Sequence, residues 1–246
     1  LVKTSLIFPD WPQPSYVRAC VTTRHGGVSH APYATLNLGD HVGDNPEDVA
    51  INRQRLCELA GLPVKPHWLT QVHGTRVATL TPQLADSGVE ADAAYSCRRD
   101  VVCSVMTADC LPVMFCSLSA HEVAVAHAGW RGLCAGVLEN TLATFSSAHH
   151  EIIAWLGPAI GASCFEVGEQ VREAFIRHDP RAAEAFVARG EKFMADIYQL
   201  ARLRLEACGV SQIYGGQFCT VTDSDNFFSY RREGTTGRLA SLIWLI

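Results

Sequence analysis

The sequence predicts a mixed α/β or α+β domain with mixed sheets, and it reads as a single domain over residues 1–246. Three observations carry this. The 246 residues are 48% hydrophobic, enough to bury a sizeable core without a metal or disulfide to hold it together. Strand-like and helix-like segments follow one another without strict alternation, unlike a regular βαβ chain. Three apolar runs, "DVVCSVM" (100–106), "LPVMFCSL" (111–118) and "HEVAVAHAG" (121–129), stand together in the middle third and read as consecutive buried strands.

Taken in order, Val17 to Thr23 reads as a strand running into a Gly26-Gly27 turn. A helix follows over residues 46–60. Asn45 is a good N-cap, Pro46 suits the first helical position, and Glu47 and Asp48 favour the positive helix end. Val49, Leu56, Leu59 and Ala60 give it an apolar face, and Gly61 stops it. "HWLTQVHGTRVATLT" (67–81) alternates as a strand around a turn-like His73-Gly74. After the three central strands, "GLCAGVLENTLATF" (132–145) predicts one helix with Leu133, Val137, Thr141 and Phe145 on a face. "EIIAWLGPAIG" (151–161) is a strand. "VGEQVREAFIRH" (167–178), "PRAAEAFVARG" (180–190) and "EKFMADIYQLARLRLEACG" (191–209) read as three helices, the last with Phe193, Ile197, Leu200 and Leu203 aligned. The remainder closes with strands.

Composition excludes several classes. The formal net charge is −5 and no run of Lys or Arg occurs, so sequence-independent nucleic-acid binding is disfavoured. No apolar stretch approaches a membrane span, and the first residues do not read as a secretory leader. Ten cysteines include no C-x-x-C pair, so zinc-ribbon and thioredoxin readings fail. Most lie in apolar runs, where a free thiol acts as a small hydrophobe. The expectation is a reduced, cytoplasmic protein.

The candidate chemistry sits at strand ends, where turns gather groups from distant parts of a chain. His73 ends "WLTQVHG", His127 ends "VAVAHAG", and Cys110 follows an apolar strand in "SVMTADC". Two imidazoles and a thiolate make a coherent zinc set that leaves a fourth position open. The same residues also read as two hydrogen-bonded core histidines and an inert thiol. "HAGWRG" adds a turn in which Gly129 lets backbone approach a ligand and Arg131, at the start of a helix, can clamp an anion. A tight turn with a solvated arginine is the plainer alternative. Arg24 before the Gly26-Gly27 turn, and Arg231, Arg232 and Arg238 beside C-terminal aromatics, are further candidates for the walls of an anion or base pocket.

Together "TTRHGGVS", "GDNPEDVAINRQRL", "WLTQVHG", "MTADCLPV", "AHAGWRG", "LGPAIG" and "FFSYRREGTTGR" resemble the YfiH/laccase-domain family, also described as multicopper polyphenol oxidase-like. The resemblance runs in order from about Thr22 to the C-terminus. It implies α/β/β/α layers and zinc held by His73, Cys110 and His127. It also implies activity on purine nucleosides: phosphorolysis of adenosine, inosine and methylthioadenosine, and deamination of adenosine. Purine nucleosides and phosphate are then the partners, with the chain a monomer or weak homodimer. Arg131, with the helix-start amides, is the expected phosphate site, and Asp109 the expected acid/base group. The zinc-deaminase signature H-x-E with P-C-x-x-C is absent. The resemblance also admits a Cys–His hydrolase or amidase editing peptidoglycan precursors, with Cys110 as nucleophile and His127 or His73 as base. A copper-dependent phenol oxidase fits less well, because the ten histidines include no H-x-H pair. A metal-stabilised binding protein without turnover is the non-enzymatic alternative.

Overall fold

The computed structural model describes residues 4–84 and 87–246. In chain order the strands are β1 (Leu6–Ile7), β2 (Val17–Thr22), β3 (Trp68–Thr70), β4 (Val77–Thr79), β5 (Ser87–Glu90), β6 (Ala93–Ser96), β7 (Val102–Thr107), β8 (Leu111–Ser117), β9 (Val123–Ala128), β10 (Ile152–Leu156), β11 (Glu166–Val167), β12 (Phe186–Arg189), β13 (Lys192–Ala195), β14 (Gln212–Gly215) and β15 (Leu239–Leu245). The α-helices are α1 (Pro46–Ala60), α2 (Trp130–Ala135), α3 (Val137–Leu142), α4 (Glu169–His178), α5 (Ile197–Ala207) and α6 (Tyr230–Glu233).

Two sheets form the centre, a six-stranded one in the order β14-β10-β8-β9-β6-β4 and a four-stranded one in the order β1-β2-β15-β7. Their facing sides share one core, in which Val105, Ile243 and Val21 meet Met114, Val125 and Trp155. The outer side of the six-stranded sheet packs on α2, α3 and α5 through residues such as Leu133, Leu138 and Leu200. The outer side of the four-stranded sheet packs on Leu56 of α1 through Cys20, Leu242 and Trp244. The layers are therefore α/β/β/α, as the resemblance implies. Strand β9 shows how the pattern encodes them. Val123 and Val125 face the other sheet, whereas Ala124, Ala126 and Ala128 face the helices, because side chains alternate along a strand. The small residues leave room for the helix layer.

Several expectations need correction. The helix expected over residues 132–145 is two helices, broken at Gly136. This residue has φ +104°, a conformation costly for any side chain, and its N–H donates to Gly132 and Leu133 to end α2. Leu133, Val137, Thr141 and Phe145 are all buried nonetheless. "PRAAEAFVARG" is a short 3-10 turn followed by strand β12, which pairs with β13 across a two-residue Gly190-Glu191 connection. The hairpin overrides the helix preference of its alanines, and it places Phe193 on a strand. The last helix starts only after Asp196, whose carboxylate caps Gln199 N–H. A four-residue helix, α6, interrupts the C-terminal segment read as strands. Strands β5 and β6 escaped the sequence pattern.

Helix α1 begins and ends as predicted, with Asn45 accepting from Glu47 N–H and Gly61 in the left-handed region. Its buried face differs: Leu59 is 47% exposed and Asn52 is fully buried. The Asn52 amide accepts from Val28 N–H and donates to Ser29 Oγ and the carbonyls of Thr35 and Asn37. It thereby ties residues 28–37 to the helix. All ten cysteines are free, and no helix among the described residues is long and apolar enough to cross a membrane. Asn52→Ala should lower unfolding free energy by about 2 kcal/mol or more, because it strands several buried partners. Leu59→Ser should stay within ~0.5 kcal/mol. Chemical denaturation of the two variants checks this contrast.

Candidate metal centre

Neighbouring strand ends in the six-stranded sheet build the site. In the antiparallel pair β8–β9, Leu111 faces Ala128 and Pro112 faces His127, so Cys110 lies beside Gly129 where the ladder ends. On the other side of β9, Ala93 of β6 faces Ala126, which brings the preceding Asp92 to His127; His127 N–H donates to the Asp92 carbonyl at 2.7 Å. His73 lies between β3 and β4 with φ +59°, a left-handed conformation rare for a residue with a side chain.

Asp92, which the sequence reading missed, holds these pieces together. It is fully buried. One carboxylate oxygen accepts from His127 Nδ1 at 2.8 Å and from His73 N–H at 2.9 Å. The other accepts from Gly74 N–H at 2.7 Å and Val72 N–H at 3.2 Å. Burial opposes its ionisation, but the His127 bond and the loop amides prevail and hold the carboxyl below its usual range. Because Nδ1 donates to Asp92, His127 directs Nε2 at the site, where it can ligate a metal once its own proton is displaced. The available signal was an acid flanked by alanines in the run "EADAAYS".

One ligand atom each from His73, Cys110 and His127 lies within 4.8 Å of the others, with Cys110 Sγ 3.9 Å from His73 Nε2. A tetrahedral zinc ion asks for N···N and N···S separations of about 3.3–3.6 Å, so a small contraction closes the set around one ion. Gly129 provides clearance. A Cβ there would sit 3.0 Å from Cys110 Sγ and 3.0 Å from His73 Cδ2. Among the described residues this is the only such group of three.

The electrostatics separate Cys110 from the structural thiols. Burial alone pushes Cys20 and Cys116 up to about 12. Burial raises Cys110 too, but the His127 charge and hydrogen bonds from both imidazoles outweigh it and bring the thiol to about 6. Burial would lower His127, yet the Cys110 thiolate and Asp92 raise it to about 9. The metal-free site is therefore a thiolate–imidazolium pair.

The three residues line a cleft of about 580 Å³. Leu69 and Met106 supply apolar wall, and Gln71 is fixed by two bonds to the Met106 backbone, at 2.8 and 2.7 Å. Tyr230, 62% exposed, and the largely buried Arg238 close the other side. Arg238 makes no ion pair among the described residues, and its guanidinium donates only to the Thr236 and Gly237 carbonyls. Of the arginines singled out in the sequence, only Arg238 faces this cleft. Arg24 donates to the Ala34 and Ser224 carbonyls and pairs with Glu233. Arg231 donates to the Cys164 and Glu166 carbonyls. Arg232 donates to the Thr220 and Val221 carbonyls and pairs with Glu233. Arg131 lies over the Trp130 ring and lines a different recess, so the expected clamp beside the metal group does not form. The break at Gly136 also leaves α2 only six residues long. Asp109 does not line the cleft, and both its oxygens are engaged, by Thr220 Oγ1 at 2.6 Å and Arg231 N–H at 2.6 Å. Its geometry is that of a strut, not an acid/base group.

Comparison with known proteins places the chain in a family. Residues 18–246 match the family model described as multi-copper polyphenol oxidoreductase laccase. The chain belongs to this family. A relative in Escherichia coli (strain K12), purine nucleoside phosphorylase YfiH, is 58% identical over 99% of this chain and 100% of its own length. A Haemophilus influenzae purine nucleoside phosphorylase is 51% identical over 97% of this chain and 98% of its own. Among solved structures, a Neisseria meningitidis protein superposes with a TM-score of 0.94 at 50% identity, covering 98% of this chain and 99% of that one. YlmD from Geobacillus stearothermophilus gives 0.92 at 32%, covering 100% and 97%. The family description speaks of several coppers, whereas the three converging ligands among the described residues suit one ion.

Two outcomes follow from the Asp92–His127–Cys110 arrangement. Asp92→Ala should weaken metal binding about 10–100-fold while the ligands remain, which competition with a chromogenic chelator reads directly. Between about 6 and about 9 the metal-free pair holds one proton, on the His127 side. Metal binding displaces that proton, so affinity should rise with pH up to about 9 and fall more steeply below about 6. Calorimetry in buffers of different ionisation enthalpy should show release of about one proton near neutral pH.

Proposed function

We propose that this protein is a zinc-dependent purine nucleoside phosphorylase acting on adenosine, inosine and methylthioadenosine, with accompanying adenosine deaminase activity. The reading is carried by one juxtaposition: the His73–Cys110–His127 group and the unpaired Arg238 guanidinium share a single cleft. The names of the relatives support it. At about 580 Å³ the cleft is large enough for a nucleoside and a phosphate.

In this reading Arg238 holds the phosphate dianion by charge-assisted bonds, which burial strengthens. Leu69, Met106 and the Tyr230 ring pack against the purine. A phosphate oxygen attacks the ribose C1′, the N-glycosidic bond breaks, its electron pair leaves with the purine, and the proton of the phosphate dianion passes to the departing base. The products are the free base and ribose 1-phosphate. Zinc held by His73, Cys110 and His127 would supply Lewis-acid polarisation in the cleft. Asp92 fixes the orientation of His127 throughout, and Gly129 keeps backbone clear of the ligands.

Metal-analysed protein incubated with adenosine should release adenine only when phosphate is present, and inosine with or without it. Absence of both products from zinc-replete protein overturns the proposal. Chelation should abolish activity and zinc should restore it; activity that survives complete chelation indicates a Cys110 thiol hydrolase instead. Arg238→Ala should keep its zinc and raise the KM for phosphate at least about tenfold, the usual worth of a lost charged hydrogen bond. His127→Ala should lose the metal itself.

A further inference from the structure

The HAGWRG motif leaves Arg131 without a role in the cleft, and the reason lies on the outer helical layer. There α2 and α4 diverge around a recess of about 390 Å³. Its small lining residues are Cys134 and Ala135 of α2 and Ala174 of α4. They occupy positions one turn from Trp130, Arg131 and His178, so helix periodicity itself hollows the groove beneath larger side chains. Arg131 and Arg177 stand on its two sides, with the Trp130 ring and His178 completing the wall.

The charge pattern here is unusual for a chain of net charge −5. Neither Arg131 nor Arg177 forms an ion pair among the described residues, although Arg181 pairs with Asp179 and Arg204 with Glu139 close by. Two guanidinium groups lining one recess give it a positive potential that an anion entering the recess would neutralise. Arg131 is also pre-organised: its guanidinium carbon lies 4.4 Å from the centre of the Trp130 ring, which orders the plane and leaves its N–H edges free.

We propose that the α2–α4 recess is a second anion site, separate from the metal cleft, that binds the phosphate dianion of inorganic phosphate or of a phosphate monoester between Arg131 and Arg177. A planar fork on each side suits the tetrahedral oxygens of phosphate, and the volume admits a phosphate with an attached sugar. The site adjoins the metal group along the chain. Arg131 is two residues beyond Gly129, where an added Cβ would sit 3.0 Å from Cys110 Sγ and His73 Cδ2. The proposal does not rest on phosphorolysis, because it concerns binding in the absence of nucleoside.

The test is a calorimetric titration of zinc-loaded protein at constant ionic strength with inorganic phosphate, ribose 5-phosphate and adenosine, on wild type, Arg131→Gln/Arg177→Gln and Arg238→Gln. The double variant should lose one class of phosphate binding, weakened at least tenfold, and Arg238→Gln should retain that class. Adenosine, which carries no phosphate, should bind both wild type and double variant equally. Tighter binding of ribose 5-phosphate than of phosphate identifies an ester as the ligand; the reverse order identifies the free ion. Hydrogen exchange on wild type supplies a second measurement that needs no variant: phosphate should protect residues 130–135 and 174–178. Unchanged phosphate binding in the double variant, or protection confined to cleft segments, overturns the proposal.

Discussion

The buried carboxylate of Asp92 is the constraint on which the metal group depends. A charge removed from water costs several kcal/mol unless donors surround it, and here three loop amides and the His127 imidazole supply them. The arrangement works in both directions. Asp92 needs the 72–74 loop to remain folded around it, and the loop needs Asp92 to hold His73 in its left-handed conformation. One side chain therefore sets the backbone of one ligand and the ring orientation of another. Both are fixed by hydrogen bonds within the protein itself.

The layered fold makes that carboxylate reachable. Strands β8, β9 and β6 lie side by side, so Cys110, His127 and Asp92 emerge at one end of the same sheet. The second sheet contributes the opposite wall through Met106 and Thr107 at the end of β7. The C-terminal segment then closes the cleft with Tyr230 and Arg238. Asp109 anchors it by accepting from Arg231 N–H and Thr220, while Glu233 is gripped by Arg24, Arg232 and Thr236. The turn that carries the thiolate ligand thus also positions the wall facing it.

The family description and the local chemistry answer different questions. Membership follows from a match over nearly the whole chain. What the site can hold follows from its ligands, two imidazoles and one thiol whose proton is already displaced by a neighbouring imidazolium. That set suits a single borderline-soft cation with an open position. Cys20, Cys103 and Cys116, fully buried and without a charged neighbour, keep their protons and serve as packing.

The sequence by itself determined a mixed α/β fold and two boundaries of α1, because hydrophobic alternation, N-cap chemistry and a terminal glycine are local signals; the layering came only with the family resemblance. It also marked His73, Cys110 and His127, since a polar group ending an apolar strand stands out in one dimension. Tertiary structure decided the rest. Gly136 splits a helix and Gly190-Glu191 turns another into a hairpin, because backbone pairing with distant partners outweighs intrinsic preference. Asn52 replaces Leu59 on the buried face of α1 because a loop supplies partners for its amide. Only the fold could separate Arg238, which meets the cleft, from Arg24, Arg131 and Arg231, which do not. Those arginines look alike along the chain; what distinguishes them is whether a carbonyl, a carboxylate, an aromatic ring or open space lies opposite, and that is set by strand order rather than by neighbours in sequence.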